Sequence, residues 1–277
     1  MSTPTNRQLR EQGAARLESR LEAELLLAEA LGHSRAWLYA RLDESLDPSA
    51  VDRFQALLER RAAGEPLAYI LGRREFYGRD FQVDPSVLIP RPETELLVDL
   101  ALRFRGPEPT AVADIGTGSG CIALTLAAER PTWRLTATDL SRAALTIAQR
   151  NRQSLGLTNV SLALGDLFAP LHGRRYDLIV SNPPYVAERD PHLEQGDLRF
   201  EPAVALSCPS DGLTIIRRLA LEAPAHLAND GLLLLEHGHD QAASVAKALD
   251  EQGYVDVTHH RDLAGIERVT VGRWPAA

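Results

Sequence analysis

The chain has 277 residues, 44% apolar and 25% charged, which is enough for a catalytic domain and a smaller appendage with a core of its own, and excludes disordered, fibrous and membrane classes. A net charge of −8 argues against a protein that holds nucleic acid mainly by neutralising phosphates, so no direct nucleic-acid binding is expected. Its two cysteines, Cys121 and Cys208, cannot build a disulfide framework or a four-ligand zinc site; the polar segment 1–20 reads as neither signal peptide nor membrane span, and the expected location is the cytoplasm, with no metal and no membrane contact.

From about Thr5 to Gly64 the sequence reads as short helices. Leu17, Leu21, Leu25 and Ala28 recur at helical spacing, Gly32 stops the run, and a further helix opens with Asp47 as N-cap and Pro48 at its first position, carrying Val51, Phe54, Leu57 and Leu58 inward. Residues 1–63 hold nine Arg and ten Asp or Glu, so this bundle (1–74) is expected to be a balanced protein-docking or lid domain, or a structural cap. Glu75-Phe-Tyr-Gly78 and Asp80-Phe-Gln-Val-Asp-Pro85 look like two short strands joined at Gly78, followed by Val87-Leu-Ile89, which together predict a hairpin linker over 75–92.

From Ala111 apolar strands alternate with amphipathic helices, the pattern of a mostly parallel sheet covered on both faces. Strands are expected near 111–114, 134–139, 160–164, 176–181, 231–236, 254–259 and 267–272, with helices near 119–129, 142–155, 212–228 and 240–252. No helix-length stretch separates the last two strands, which predicts an antiparallel pair at one edge. The catalytic domain is placed at 93–277.

Three strand ends carry chemistry. Asp114-Ile-Gly-Thr-Gly-Ser-Gly120 lies between strand and helix, where glycine permits positive φ and close backbone approach, so Gly116, Thr117, Gly118, Ser119 and Gly120 are cofactor candidates. A nicotinamide enzyme also uses a glycine turn, but Cys121 stands where its fingerprint wants Gly or Ala. Asp139, at the end of the second strand, can accept both hydroxyls of a ribose, or else cap the next helix. Asp166, Leu167 and Phe168, after the third strand, can frame an adenine ring, although Phe168 reads equally as core.

The fourth strand runs into Asn182-Pro-Pro-Tyr185. Its prolines fix φ and remove two donors, leaving a stiff, acceptor-rich loop. A planar NH₂ group there can donate one hydrogen to the Asn182 side-chain oxygen and one to the Pro183 carbonyl, with Pro184 lining the loop and Tyr185 packing on the plane. An amide nitrogen attacks poorly unless it is held in line with an electrophilic methyl group, so orientation rather than a dedicated base is expected to dominate. Asn182 thus faces both acceptor and cofactor.

These motifs, together with Pro66-Leu-Ala-Tyr-Ile-Leu-Gly72, Glu75-Phe-Tyr-Gly78, Val87-Leu-Ile-Pro-Arg-Pro-Glu-Thr-Glu95, Leu235-Glu-His-Gly238 and the segment from Asp190-Pro-His-Leu193 through Phe200-Glu-Pro202, resemble the HemK/PrmC family of protein-(glutamine-N5) methyltransferases over nearly the whole length. The resemblance implies a helical N-terminal domain, a β-hairpin and a class I, Rossmann-like α/β methyltransferase domain with a seven-stranded, mostly parallel sheet. It implies S-adenosylmethionine on Gly116 to Gly120 and Asp139, S-adenosylhomocysteine as product, and an acceptor glutamine in the Gly-Gly-Gln loop of peptide chain release factors, bound by Asn182, Pro183, Pro184 and Tyr185. Family members often place an aromatic residue directly after the acid corresponding to Asp166, whereas this chain has Leu167 and then Phe168, which leaves the adenine contact open between the two. Arg91 and Glu93 are candidates for closing the site or for anchoring the hairpin. The rival readings are an amino-methyltransferase acting on adenine in nucleic acid, for which no basic target-recognition insertion is visible, a nicotinamide oxidoreductase and a catalytically silent binding module. His237, His259 and His260 read as structural.

Overall fold

Side-chain caps punctuate the N-terminal helices. The computed structural model describes residues 3–208 and 211–276, with the side chains of His192 and Glu194 outside that description. The helix α1 (Asn6–Leu17) opens with a reciprocal capping box between Thr5 and Gln8. Ser19 caps α2 (Arg20–Leu31), which Gly32 ends at φ +66°; Ser34 caps α3 (Arg35–Ala40), and Asp47 caps α4 (Pro48–Ala62), accepting from the amides of Ser49 and Ala50. A short α5 (Leu67–Leu71) follows. Leu9, Leu26, Leu27, Leu38, Phe54 and Leu58 form the core. The Leu17–Leu21–Leu25 stripe is not the buried face: Glu18 at φ +53° ends one helix before Ser19 starts the next, so Leu21 is 52% exposed.

The chain divides into two compact units, Met1–Gly72 and Arg73–Ala277. Within the second, β1 (Arg73–Phe76) and β2 (Arg79–Gln82) form the expected hairpin, turning through Tyr77 and Gly78, both at positive φ. This hairpin is not a free linker, because Phe76 and Phe81 are fully buried in the core of the second unit. Val87-Leu-Ile89 belongs to no strand.

The sheet follows from α6 (Glu95–Phe104) onward: β3 (Ala111–Ile115), α7 (Cys121–Glu129), β4 (Arg134–Asp139), α8 (Arg142–Ser154), β5 (Val160–Leu164), β6 (Tyr176–Ser181), β7 (Val186–Ala187), α9 (Ala203–Leu206), β8 (Ser207–Cys208), α10 (Thr214–Glu222), β9 (Leu227–Glu236), α11 (Ala242–Asp250), β10 (Val255–Arg261) and β11 (Glu267–Arg273). Seven strands pair in the order β10-β11-β9-β6-β3-β4-β5, all parallel except β11, which runs antiparallel to both neighbours. The sequence-predicted strands are all present; α6 and the small parallel pair of β7 with β8 were not anticipated. Apolar residues of the central strands face two cores, one under α6 and α7, the other under α10 and α11.

Candidate active site

Register places the chemistry. Ile115 pairs with Thr138, Asp114 with Val180 and Ser181 with Leu235, so the glycine turn, Asp139, Asn182 and Glu236 leave four adjacent strands at one level of one sheet edge. The strand order reverses between β3 and β6, the point at which open α/β sheets hold ligands.

The amides of Gly116 and Thr117 both donate to the carbonyl of Thr138, at 2.9 Å each, which fastens the turn to the end of β4. Beneath it the buried Asp114 accepts from the Thr117 hydroxyl (2.6 Å) and the Ala123 amide (3.2 Å); burial still pushes its carboxyl up to about 7. Gly116 and Gly118 have φ of +77° and +56°, and a Cβ at either would meet open space. Gly120 serves differently: at φ +85° it precedes α7, where a Cβ would strike Leu124 and Ala148, so it packs the helix and does not line the cavity. Asp139 accepts from the Gly118 amide (2.8 Å) and the Ser141 amide (2.8 Å), while Ser141 itself caps α8. These contacts tie the glycine turn to the second strand end. The Asp139 carboxyl is raised by burial, against backbone amides that lower it.

A cavity of about 230 Å³ opens over these strand ends. Of the sequence-predicted residues, Gly116, Thr117, Gly118, Ser119 and Asp139 line it on one side, Asp166 and Leu167 on another, and Asn182 and Pro184 close it. Leu167, at φ +43°, turns onto the cavity wall. Phe168 does not: it is 3% exposed, sits in the second core and stacks on His226 with centroids 5.0 Å apart, so of the two only Leu167 lines the cavity. Asp166 is paired with Arg218 at 2.9 Å.

Asn182 donates through Nδ2 to the Thr94 hydroxyl at 3.1 Å. Among the described residues its Oδ1 and the Pro183 carbonyl take no internal hydrogen bond. Pro183 is buried, and Tyr185 lies off the cavity wall, packed against the second core with its hydroxyl 3.4 Å from Glu236 and its carbonyl accepting from Gln241 (3.0 Å). Burial beside Glu236 raises the Tyr185 phenol, which stays protonated and serves as a donor, not a base. Arg91 lines the cavity and pairs with the buried Glu201, which also accepts from the Ile89 amide (3.0 Å), binding the loop after the hairpin to the Phe200-Glu-Pro202 segment. Glu93 is exposed.

Sequence reasoning passed over Thr94 and Glu236 as site residues, along with Leu140 and Val204 at the cavity wall. The available signal was a charged residue inside the otherwise apolar end of β9. Read as structural, His237 is buried between the Gly238 carbonyl and the Thr270 hydroxyl, each at 2.9 Å, and burial lowers its pKa. Among the described residues no His, Cys, Asp and Glu group is arranged to hold a metal ion, and no helix is long and apolar enough to cross a membrane.

Residues 5–72 match the PrmC N-terminal domain and residues 93–228 the methyltransferase small domain. Release factor glutamine methyltransferases from Xylella fastidiosa, Pseudomonas aeruginosa and Burkholderia pseudomallei are 52%, 48% and 50% identical, each over 92% of this chain and 94%, 93% and 92% of their own length. Among solved structures, a methyltransferase from Pyrococcus furiosus superposes with a TM-score of 0.56 at 19% identity, covering 82% of this chain and 99% of that one. A T. thermophilus 16S rRNA N2 G1207 methyltransferase, in complex with AdoMet and guanosine, gives 0.55 at 19%, covering 73% and 49%. These two show the fold, that of the class I methyltransferases; the close relatives show the family, and the chain belongs to the release factor glutamine methyltransferases.

Proposed function

We propose that this protein transfers a methyl group from S-adenosylmethionine to the side-chain N5 of the glutamine in the Gly-Gly-Gln motif of peptide chain release factors, in the cytoplasm. The observation that carries the reading is the Asn182 amide, held by its nitrogen on Thr94 with its oxygen left to accept, at the strand end next to the glycine turn. A glutamine NH₂ has two hydrogens to donate; Asn182 Oδ1 and the Pro183 carbonyl are the matching acceptors.

The chain fits the cofactor. Two glycines at positive φ leave open space against the cavity, Asp139 presents its carboxylate beside them, and Leu167 offers an apolar wall for a base. When bound, S-adenosylmethionine supplies an electrophilic methyl on a sulfonium leaving group. The protein's part is orientation: two acceptors hold the amide nitrogen in line with the methyl group and polarise its N–H bonds, which raises electron density on the nitrogen for attack. Positioning of this kind supplies on the order of 7–11 kcal/mol in favourable cases. With the Tyr185 phenol protonated, no side chain of the loop needs to act as a base; the proton leaves the methylated amide afterwards.

The test is transfer of labelled methyl from S-adenosylmethionine to purified release factor, beside duplex DNA and a factor whose Gly-Gly-Gln glutamine is replaced. Label on the unaltered factor alone is the expected result. Label on DNA would instead establish the adenine-methylating reading.

A further inference from the structure

We propose that Gln241 is a positioning residue of the acceptor grip: from the N-cap of α11 its side-chain amide fixes the exit of Asn182-Pro-Pro-Tyr185 and so aims the Pro183 carbonyl. The inference deepens the function proposed above and rests on that loop holding the acceptor nitrogen.

The loop is a stiff bridge between two held ends. Its entry is set by the sheet, where Ser181 pairs with Leu235 and donates through its hydroxyl to the Ile115 carbonyl at 2.6 Å. Its exit is set by Gln241, whose Nε2 donates to the Tyr185 carbonyl at 3.0 Å. Between these ends Pro183 and Pro184 have φ fixed by their rings, so the direction of the Pro183 carbonyl follows from where the ends are held. That carbonyl is one of the two acceptors matched to the substrate amide.

The Gln241 amide has its orientation forced by its partners. Oε1 accepts from the Gly238 amide at 2.8 Å, a group that can only donate, and Nε2 meets a carbonyl, which can only accept. Gly238 is itself held, because its carbonyl accepts from His237 Nδ1 at 2.9 Å and from the Gln241 backbone amide at 3.1 Å. The segment Leu235-Glu-His-Gly238, which takes no direct part in the transfer, thereby connects the end of β9 to the exit of the acceptor loop.

A residue that merely closed the turn before α11 would need only the acceptor, which a glutamate supplies as well as a glutamine does. The donor is what reaches across to Tyr185. A third segment presses on the same atom: Gly212 is buried at φ +77° ahead of α10, and a Cβ there would strike both the Tyr185 carbonyl oxygen and Gln241 Nε2. Neither Gln241, Gly238 nor Gly212 belongs to the cavity wall, so their effect on the reaction passes through the loop.

The experiment compares wild type, Q241E, G212A and the Q241E/G212A pair in labelled methyl transfer and in calorimetric S-adenosylmethionine affinity, with a crystal structure of Q241E beside that of wild type. Q241E is nearly isosteric: it keeps the acceptor for the Gly238 amide and sets an oxygen against the Tyr185 carbonyl. Since a misplacement of about 1 Å can cost on the order of 100-fold, kcat should fall roughly tenfold or more in Q241E and in G212A. Cofactor affinity should stay within about twofold of wild type, and the pair should be no worse than the poorer single, because both substitutions displace one carbonyl. In the crystal structure of Q241E the Tyr185 and Pro183 carbonyls should be displaced while the contact from the Gly238 amide remains. Wild-type kcat in Q241E, a cofactor affinity that falls in step with kcat, losses that multiply in the pair, or an unmoved Pro183 carbonyl would each overturn the proposal. If wild type labels a different acceptor, the proposed substrate is wrong, while the same variants on that acceptor still decide the role of Gln241. If it labels none, the crystal structure decides: a displaced Pro183 carbonyl supports the role and an unmoved one ends it.

Discussion

Asn182 can be separated from the cofactor pocket because its amide is held from behind by Thr94 while the glycine turn is held by the carbonyl of Thr138. Replacing Asn182 by Ala removes an acceptor of the reacting amide and should lower kcat by at least about 100-fold, within the range that positioning contributes, while S-adenosylmethionine affinity measured by calorimetry stays within a few-fold. Equal loss of both would mean a collapsed site. Gly118 makes the opposite case: at φ +56°, with its amide on Asp139, an alanine would strain the turn by roughly 1–2 kcal/mol and put a methyl into the cavity. G118A should therefore weaken cofactor binding by about tenfold or more with a small fall in Tm, and an unchanged affinity would place the cofactor elsewhere. Gly116 and Asn182 were legible because each stands directly after an apolar strand, and Asp139 because it ends one, positions that sequence marks. Thr94 and Glu236 were not, because their relation to Asn182 depends on cross-strand register and on a 3-10 turn that no local pattern encodes. Phe168 shows the converse: an aromatic at a strand end reads as ligand or core alike until the partner, here His226, is known.

The same division holds for elements. Strands of the parallel sheet were readable because burial on both faces makes them nearly continuous apolar runs. Val87-Leu-Ile89 carries the same signal yet stays a loop, since Pro85 and Pro90 flank it, each lacking an amide for a ladder; Leu88 goes to the cavity wall instead. Helix α6 escaped notice because it precedes the first strand and so falls outside the alternation that revealed the others. The hairpin was legible as a hairpin, but its packing was not: nothing in a four-residue strand says that Phe81 is wholly buried in the catalytic core. A mere linker would tolerate its loss. Phe81→Ala should instead cost about 3–5 kcal/mol and lower the Tm of the second unit by on the order of 10 °C, measured by calorimetry. An unchanged Tm would restore the linker reading.

At the scale of the molecule, the two units carry buried carboxyls shifted in opposite directions, and this sets opposite pH responses. In the first, burial alone would raise Glu24, but the Tyr39 hydroxyl (2.6 Å), Arg35 (2.6 Å) and Arg20 (3.0 Å) hold it down to about 2. Its folded pKa lies below the ordinary value of 4.5, so the stabilisation is complete above 4.5 and is lost as pH falls toward about 2. In the second unit, Asp114 and Glu236 are raised to about 7 from 3.8 and 4.5. A raised carboxyl favours the folded state below its ordinary pKa, and that advantage declines as pH rises until it is gone above about 7, since the unfolded chain ionises first. Acidification from neutrality to about pH 5 should therefore raise the melting transition of the second unit while the first is still unaffected, and only below about pH 4 should the first begin to fail. Calorimetric scans across that range, with D114N and E24Q in parallel, decide it: D114N should flatten the neutral-to-acid rise of the one transition, and E24Q the acid loss of the other. A profile unchanged in D114N would mean that Asp114 ionises normally despite its burial, through a partner of its free Oδ1 such as an ordered water.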